Sequence, residues 1–268
     1  MGRTKPSGND ASTAALVVCA LALAAATLTP DPAVAQTDYY NLDKSRPLRV
    51  EDAYASERYA FELQLSPLTL SGSPDVLFYE PSLELKYGVL AGMELSAGVE
   101  GSVTRRDGNT DGRLGVIELS ALYNLNSETL GIPALGIRVT GHVPVDDQEN
   151  TSLELKGILT RVLGGSWRAH ANGGWVFGEA GERWWTGVAL DYVLPFRSLL
   201  LLGETYYAQP EEDGGDGRVR SAAGLRYQLG PRTGVDLGVG RDWSGADPVD
   251  WHVTVGLTTA LAFRSLMP

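Results

Sequence analysis

The chain has 268 residues, of which 43% are hydrophobic and 21% are charged, so its composition is that of a folded protein. Acidic residues outnumber basic ones 33 to 22, and the net charge of −11 argues against a nucleic-acid-binding protein, which needs a basic face. The single cysteine, Cys19, excludes an intramolecular disulfide and a cysteine metal cluster. We expect no cofactor and no nucleic-acid partner.

The first residues have the pattern of an export signal. Arg3 and Lys5 precede an apolar run over residues 14–27, and Ala33-Val34-Ala35 supplies the small residues that signal peptidase requires. The pattern predicts a signal peptide over residues 1–35. Because no later stretch approaches 18 apolar residues, we expect no transmembrane helix after it.

Apolar and polar residues alternate along almost all of the remaining chain. In residues 93–103 the odd positions are apolar or glycine and the even positions carry Glu94, Ser96, Gly98, Glu100 and Ser102. A period of two is typical of a strand whose faces meet different environments. The pattern predicts twelve strands, at residues 58–70, 79–89, 93–103, 113–125, 134–144, 152–163, 167–177, 184–195, 198–208, 218–229, 233–241 and 251–263.

The connections between these strands alternate in kind. One set is short, such as Leu90-Ala91-Gly92 and Phe196-Arg197, and the other is longer, polar and acidic, such as RRDGNTDG. Short turns at one rim and longer loops at the other are typical of an outer-membrane barrel. Three-residue turns keep the apolar residues of each hairpin on one face and place Arg226 opposite Asp236. The pairs predicted beside these turns are Val89–Met93, Leu163–Trp167 and Leu229–Thr233.

Aromatic residues on the apolar face collect at the strand ends, as the two interfaces of a bilayer require. The aromatic residues at the short-turn ends are Tyr59, Tyr87, Tyr123, Trp167, Tyr192, Tyr227 and Phe263. Those at the long-loop ends are Tyr79, Phe177, Trp184, Tyr207 and Trp251. A soluble β-sandwich or lipocalin-like barrel would bury the apolar face and would not need such girdles. We therefore predict an all-β fold, a single 12-stranded antiparallel transmembrane barrel over residues 58–268.

Two stretches of the sequence carry a family resemblance. Residues 46–67 read RPLRVEDAYASERYAFELQLSP, and residues 79–99 read YEPSLELKYGVLAGMELSAGV. With the strand pattern, they resemble the meta-pathway phenol-degradation family of outer-membrane barrels, which is distantly similar to FadL-type importers. The resemblance implies passage of small, often aromatic or hydrophobic molecules across a Gram-negative outer membrane. It implies outer-membrane lipid, lipopolysaccharide and the barrel-assembly machinery as partners.

The inward face of the predicted barrel is charged. These side chains either line a selective pore or pair across the lumen and close it. Their acidic excess favours cations or neutral solutes over anions. The candidate lumen residues are Glu62, Glu80, Glu84, Lys86, Glu94, Glu100, Glu118, Arg138, Glu154, Lys156, Arg168, Asp191, Glu204, Arg220, Arg226 and Asp236.

Two other chemistries have weak support. Asp107, Asn109, Asp111 and Glu118 have the spacing of a calcium loop, but predicted strands rather than helices flank them, so a hairpin loop is the better interpretation. Some twelve-stranded barrels are phospholipases with His and Ser two residues apart. The most similar stretch, residues 168–173, has no Ser at that position, and we predict that the protein is not an enzyme.

Residues 36–57 precede the first strand and are polar. They would lie either in the periplasm as a strap or in the lumen as a plug, and the sequence does not distinguish the two.

Two functions follow from these patterns. The first is a passive channel for small, aromatic or hydrophobic compounds, and the alternative is a structural or surface-interaction barrel with a closed lumen.

Overall fold

A computed structural model describes residues 41–44, 46–145, 150–178, 181–194, 198–210, 215–245 and 249–261. The predicted signal peptide, the turn at Phe196-Arg197 and Phe263 lie outside these residues. In the described part of the chain, no helix is long and apolar enough to cross a membrane.

Residues with alternating polarity form strands along most of the described chain. The strands are β1 (Phe61–Ser73), β2 (Val76–Tyr79), β3 (Ser82–Leu90), β4 (Met93–Arg106), β5 (Asn109–Asn126), β6 (Ala134–Pro144), β7 (Ser152–Gly164), β8 (Trp167–Gly178), β9 (Gly181–Leu194), β10 (Leu199–Ala208), β11 (Arg218–Gly230), β12 (Thr233–Ser244) and β13 (Trp251–Leu261).

The sheet closes on itself, because β1 pairs with β13 as well as with β2 and β3. Strands β2 and β3 both lie between β1 and β4, so they are two halves of one barrel strand. Pro81, which has no N–H to donate, lies at the break between them. The result is a closed antiparallel barrel of twelve strands, which confirms the predicted fold.

The polarity of this barrel is the reverse of that of a soluble protein. Apolar side chains such as Leu119 (55% exposed) and Val188 (59%) lie on the outside, whereas Arg138 (2%) and Arg226 (1%) are buried inside. The outer face suits a hydrocarbon environment, and closure leaves no unpaired strand edge within it. This distribution excludes the soluble β-sandwich.

The predicted register is confirmed along the hairpins but not in the turns. Arg226 lies opposite Asp236, as expected. Each predicted three-residue turn instead ends in a β-bulge, so Leu90 rather than Val89 pairs with Met93. The same shift pairs Gly164 with Trp167 and Gly230 with Thr233. Gly92 follows with φ of 76°, a conformation that glycine adopts without strain, and the bulge leaves the inward and outward faces unchanged.

The loop predicted between β4 and β5 is wrong. Both strands continue through the polar sequence until Arg106 pairs with Asn109, and only Asp107-Gly108 forms the turn. Their φ angles of 51° and 78° are those of a type I′ turn, which matches the twist of a hairpin. Polar composition therefore does not separate a loop from a strand that extends beyond the apolar band.

Aromatic rings meet near the ends of the strands. Trp167 and Tyr192 have ring centroids 4.8 Å apart beside the short turns, and Trp184 and Tyr207 are 5.1 Å apart at the opposite rim. These pairs lie where the two predicted girdles place them. The predicted bilayer interfaces thus coincide with rings that pack against each other across neighbouring strands.

The outward face of β5 offers a test of membrane placement. Leu119→Arg should lower the free energy of unfolding in lipid vesicles by about 2–4 kcal/mol, because a charge near the bilayer midplane is poorly solvated. Leu130→Arg, in the exposed connection after β5, is the control and should change it little. Denaturant titration of the two refolded variants measures both values. Equal effects would contradict a lipid-facing position for Leu119.

Candidate functional site

Residues 41–44 and 46–57, called the inner segment, occupy the interior of the barrel. Leu48, Val50, Glu51 and Ala53 are at most 2% exposed. The N–H of Asp52 donates to the carbonyl of Leu42 (3.1 Å), and the N–H of Leu42 donates to the Asp52 carboxylate (3.0 Å). These two bonds close residues 42–52 into a loop that enters the lumen and returns.

The inner segment joins β1 at the rim that carries the short turns. The N–H of Tyr59 donates to the carbonyl of Gly88 (2.7 Å), and the N–H of Gly88 donates to the carbonyl of Ala60 (3.0 Å). These main-chain bonds fix the chain to the end of β3. The segment therefore enters the barrel from this rim.

Two small apolar clusters hold the inner segment against the wall. Leu42, Leu48 and Val50 pack on a group of inward-facing residues from β9 to β11, and Ala53 packs on a second group from β5 to β7. Inward apolar side chains are exceptions on a polar face, and the alternation of polarity does not identify them. The run Leu199–Leu202, apolar on both faces, is the signal that could have found the first cluster. The wall residues are Ala189, Leu200, Leu202 and Ala222 in the first cluster, and Leu122, Ala134 and Ile158 in the second.

Glycines in the wall make room for the inner segment. A Cβ on Gly238 would lie 2.9 Å from the carbonyl oxygen of Pro47, and one on Gly187 would lie 2.8 Å from Val50 Cγ2. Cβ atoms in proteins essentially never lie this close to another heavy atom, so a side chain at either position would force the segment or the wall to shift. The segment backbone thus approaches the wall more closely than any larger residue permits.

Wall side chains bind the backbone of the inner segment. The Glu204 carboxylate accepts from the N–H groups of Arg49 (2.9 Å) and Val50 (2.8 Å). Asn172 accepts from the N–H of Glu51 (2.8 Å) and donates to its carbonyl (2.9 Å). The hydroxyl of Thr160 accepts from the N–H of the next residue but one, Ala53 (3.0 Å). These bonds satisfy buried peptide groups that have no neighbouring strand to pair with.

The acidic side chains of the inner segment pair with wall cations. The Glu51 carboxylate lies 2.7 Å from Lys156 Nζ and 2.9 Å from Arg138 Nη2. Burial opposes its ionisation, but these two cations hold the pKa of Glu51 below its ordinary value. The Asp43 carboxylate lies 2.7 Å from both Lys86 Nζ and Arg226 Nη2.

Asp52 meets a different network. Arg168 Nη1 lies 4.0 Å from its carboxylate, and burial raises the pKa of Asp52 although Arg168 opposes the shift. Arg168 and His170 both contact Asp191, at 2.6 and 3.0 Å, and His170 Nδ1 lies 3.1 Å from the Thr160 hydroxyl. The order hydroxyl, imidazole, carboxylate resembles that of a hydrolase. Here, however, Thr160 is 0% exposed and already binds the inner segment, so no substrate reaches it.

The predicted lumen residues fall into three groups. Eight of them contact the inner segment within 4.0 Å, and they are Lys86, Glu94, Glu118, Arg138, Lys156, Arg168, Glu204 and Arg226. Others bind within the wall: Asp236 to Arg226, Asp191 to Arg168, Glu84 to Ser96, Glu62 to Gln64, Glu154 to Trp185 and Arg220 to Asp242. Glu80 and Glu100 are exposed.

The candidate calcium loop is not assembled. Asn109 and Glu118 are the first and tenth residues of β5, which places them about 30 Å apart at the usual rise per residue. The Glu118 carboxylate instead contacts Lys44 (2.6 Å) and His142 (3.0 Å). In the described ranges, no three His, Cys, Asp or Glu side chains are arranged to hold a metal ion. The spacing reflects a hairpin with a polar tip.

The lumen is not filled completely. A cavity of about 630 Å³ lies beside the inner segment, among its residues Tyr54 and Ser56 and the wall residues Arg168 and Val193. Gly165, in the short turn before β8, also lines the cavity, so it reaches the rim where the segment enters. Deeper in the barrel, the guanidinium of Arg49 packs between the rings of Trp185 (4.5 Å) and Tyr206 (5.1 Å).

The bonds to the segment backbone can be tested by removing their acceptor. Glu204→Ala deletes two charge-assisted hydrogen bonds, each worth about 1.5–3 kcal/mol, so amide hydrogen exchange at Arg49 and Val50 should accelerate at least about tenfold. Mass spectrometry of the folded barrel measures the rate. Glu182→Ala, at the rim that carries the long loops, is the control and should leave amide exchange at Arg49 and Val50 unchanged. Unaltered exchange in the Glu204 variant would contradict this anchoring.

Solved structures of other proteins share the fold. The COG4313 outer membrane channel from Pseudomonas putida F1 superposes with a TM-score of 0.62 at 12% identity, over 78% of this chain and 98% of that one. The KdgM porin superposes with a TM-score of 0.54 at 11% identity, over 75% of this chain and 98% of that one. Both establish the outer-membrane type of barrel.

Sequence comparisons add the family. Comparison with curated proteins returns no match. The family model that matches is not the meta-pathway phenol-degradation family, so that resemblance stays a prediction. The match spans residues 87–261, which is more than half of the chain. The chain therefore belongs to the family described as uncharacterised conserved protein UCP029691.

Proposed function

We propose that the protein is a passive channel of a bacterial outer membrane, and that the inner segment closes its lumen in the state described here. The observation that carries this proposal is the polar interior, in which wall side chains rather than a strand ladder hold the segment. Polar groups that lose these contacts can form hydrogen bonds with water instead, whereas apolar side chains that leave a dry core gain no such replacement. The inner segment can therefore leave the lumen.

The shared fold supports the same function. The two similar structures are, by name, an outer membrane channel and a porin. The outward apolar belt supports an outer-membrane location, with lipopolysaccharide as a neighbour and the barrel-assembly machinery as the route of insertion. The resemblance noted in the sequence adds small aromatic or hydrophobic compounds as candidate solutes. A permanently closed structural barrel is the second candidate, favoured by wall pairs such as Arg168–Asp191.

A disulfide can test whether conduction requires movement of the inner segment. A Cβ placed on Gly136 would lie 3.5 Å from the Cβ of Ala53, within the range for a disulfide. In the cleaved chain, which we predict has no other cysteine, Ala53→Cys with Gly136→Cys should give no conductance steps in a planar bilayer when oxidised. A reducing agent should restore the steps seen with the wild type. Ala53→Cys alone is the control, and its conductance should be the same under oxidising and reducing conditions.

The outcomes separate the two candidate functions. Conductance that persists in the oxidised barrel, with the disulfide verified by mass, would show that ions do not need the segment to move. Silence of the wild type, the control and the reduced double variant would reject the channel and favour the structural barrel. Reversible silencing of the double variant alone would support the proposal.

A further inference from the structure

Two cations face each other inside the barrel. Arg138 on β6 and Lys156 on β7 are direct cross-strand partners, and each is 2% exposed. Like charges directly opposite each other destabilise a strand pair, and burial increases the cost. The wall carboxylate of Glu94 contacts Arg138 at 3.3 Å, and the Glu51 carboxylate contacts both cations and reduces their repulsion.

The contacts of Glu51 are those of a built carboxylate site. Arg138 Nε donates to Oε1 at 3.0 Å and Arg138 Nη2 lies 2.9 Å from Oε2, so the guanidinium grips both oxygens. Lys156 Nζ donates to Oε1 at 2.7 Å. Arg138 is itself oriented by Ser120 (2.9 Å) and Glu94 (3.3 Å), both in the wall. The site would thus keep much of its geometry without the segment.

A further wall group is available beside this site. Thr140 lies two residues along β6 from Arg138 on the same face and is 1% exposed. Among the described residues, its hydroxyl has no hydrogen-bond partner. A buried hydroxyl normally has one, so this donor is free for a bound ligand.

We propose that Arg138 and Lys156 form a carboxylate-binding subsite of the lumen, which Glu51 occupies when the inner segment is in place and which a carboxylated solute occupies when it is displaced. The proposal rests on the proposed channel function and names its solute class. It reverses the preference for cations and neutral solutes that the acidic composition of the lumen predicts. The local arrangement of two opposed cations decides selectivity here, not the summed charge.

Binding can be measured without transport. Carbon-13-labelled butyrate, titrated into the refolded full-length barrel and followed by NMR, should bind at least about tenfold more tightly to the Glu51→Gln variant than to the wild type, because the internal competitor is removed. Glu51→Gln combined with Lys156→Gln should lose this gain. Butyramide, a neutral analogue of butyrate, should bind to neither form.

A matched control separates the subsite from general loosening of the lumen. Asp43→Asn makes the same carboxylate-to-amide change in the same segment, at Lys86 and Arg226. Because Arg226 keeps the wall carboxylate of Asp236, this variant should raise butyrate affinity less than Glu51→Gln does. An equal gain in this variant, or equal binding of butyramide, would overturn the proposal. So would unchanged butyrate affinity in Glu51→Gln.

Bilayer conductance of the same variants tells the two proposals apart. Conductance without butyrate binding would support the channel and reject the carboxylate-binding subsite. Tight butyrate binding to Glu51→Gln with no conductance in any form supports the subsite and rejects the channel. If a variant migrates as unfolded on electrophoresis, Glu51→Ser, which removes the carboxylate but keeps a small polar side chain, replaces Glu51→Gln and must show the same gain.

Discussion

The ion contacts of Glu51 connect the barrel wall to the chain inside it. Two neighbouring strands each place a cation at the same height on the inner face, and neither cation reaches water. A barrel in a membrane cannot turn these groups outward, because its outer surface meets hydrocarbon. Their charge must be balanced from within the lumen, and the Glu51 carboxylate of the inner segment does so together with the wall carboxylate of Glu94.

The need to pair buried polar groups within the lumen also explains the rest of the interior. Asp43 balances Lys86 and Arg226, and Glu204 compensates for missing strand partners by accepting from the segment backbone. Few of these contacts are apolar, apart from the patches around Leu200 and Ile158. A lumen filled in this way is stable when closed, yet its groups can exchange their partners for water or solute. The proposed closure and its proposed reversal therefore depend on the same polar contacts.

The sequence predicts the framework of this molecule well, because membrane strands must alternate in polarity. The pairing of Arg226 with Asp236 and the twelve-stranded closure both follow from that alternation. It fails at Asp107-Gly108, where strands continue beyond the apolar band and the outward residues are polar too. Beyond the bilayer, the contrast that the pattern depends on is lost.

The interior was harder to predict. The position of each inward charge follows from the alternation along its strand. Its partner does not, because eight of these charges contact a segment with no periodic pattern. A polar stretch before the first strand is equally compatible with the lumen and the periplasm. Inward-facing Leu200 and Leu202 and the small inward residue Gly238 mark where the segment lies, and only three-dimensional placement gives them that meaning.

The main-chain bonds that join Tyr59 and Ala60 to Gly88 have a consequence for kinetics. They fix the point at which the inner segment continues covalently into β1, so a displaced segment remains a tethered ligand rather than a free one. A short tether of this kind gives an effective concentration on the order of millimolar. Under the proposed displacement, a solute that binds the lumen as tightly as the segment does must approach that concentration. Reclosure is then an intramolecular step whose rate does not depend on protein concentration.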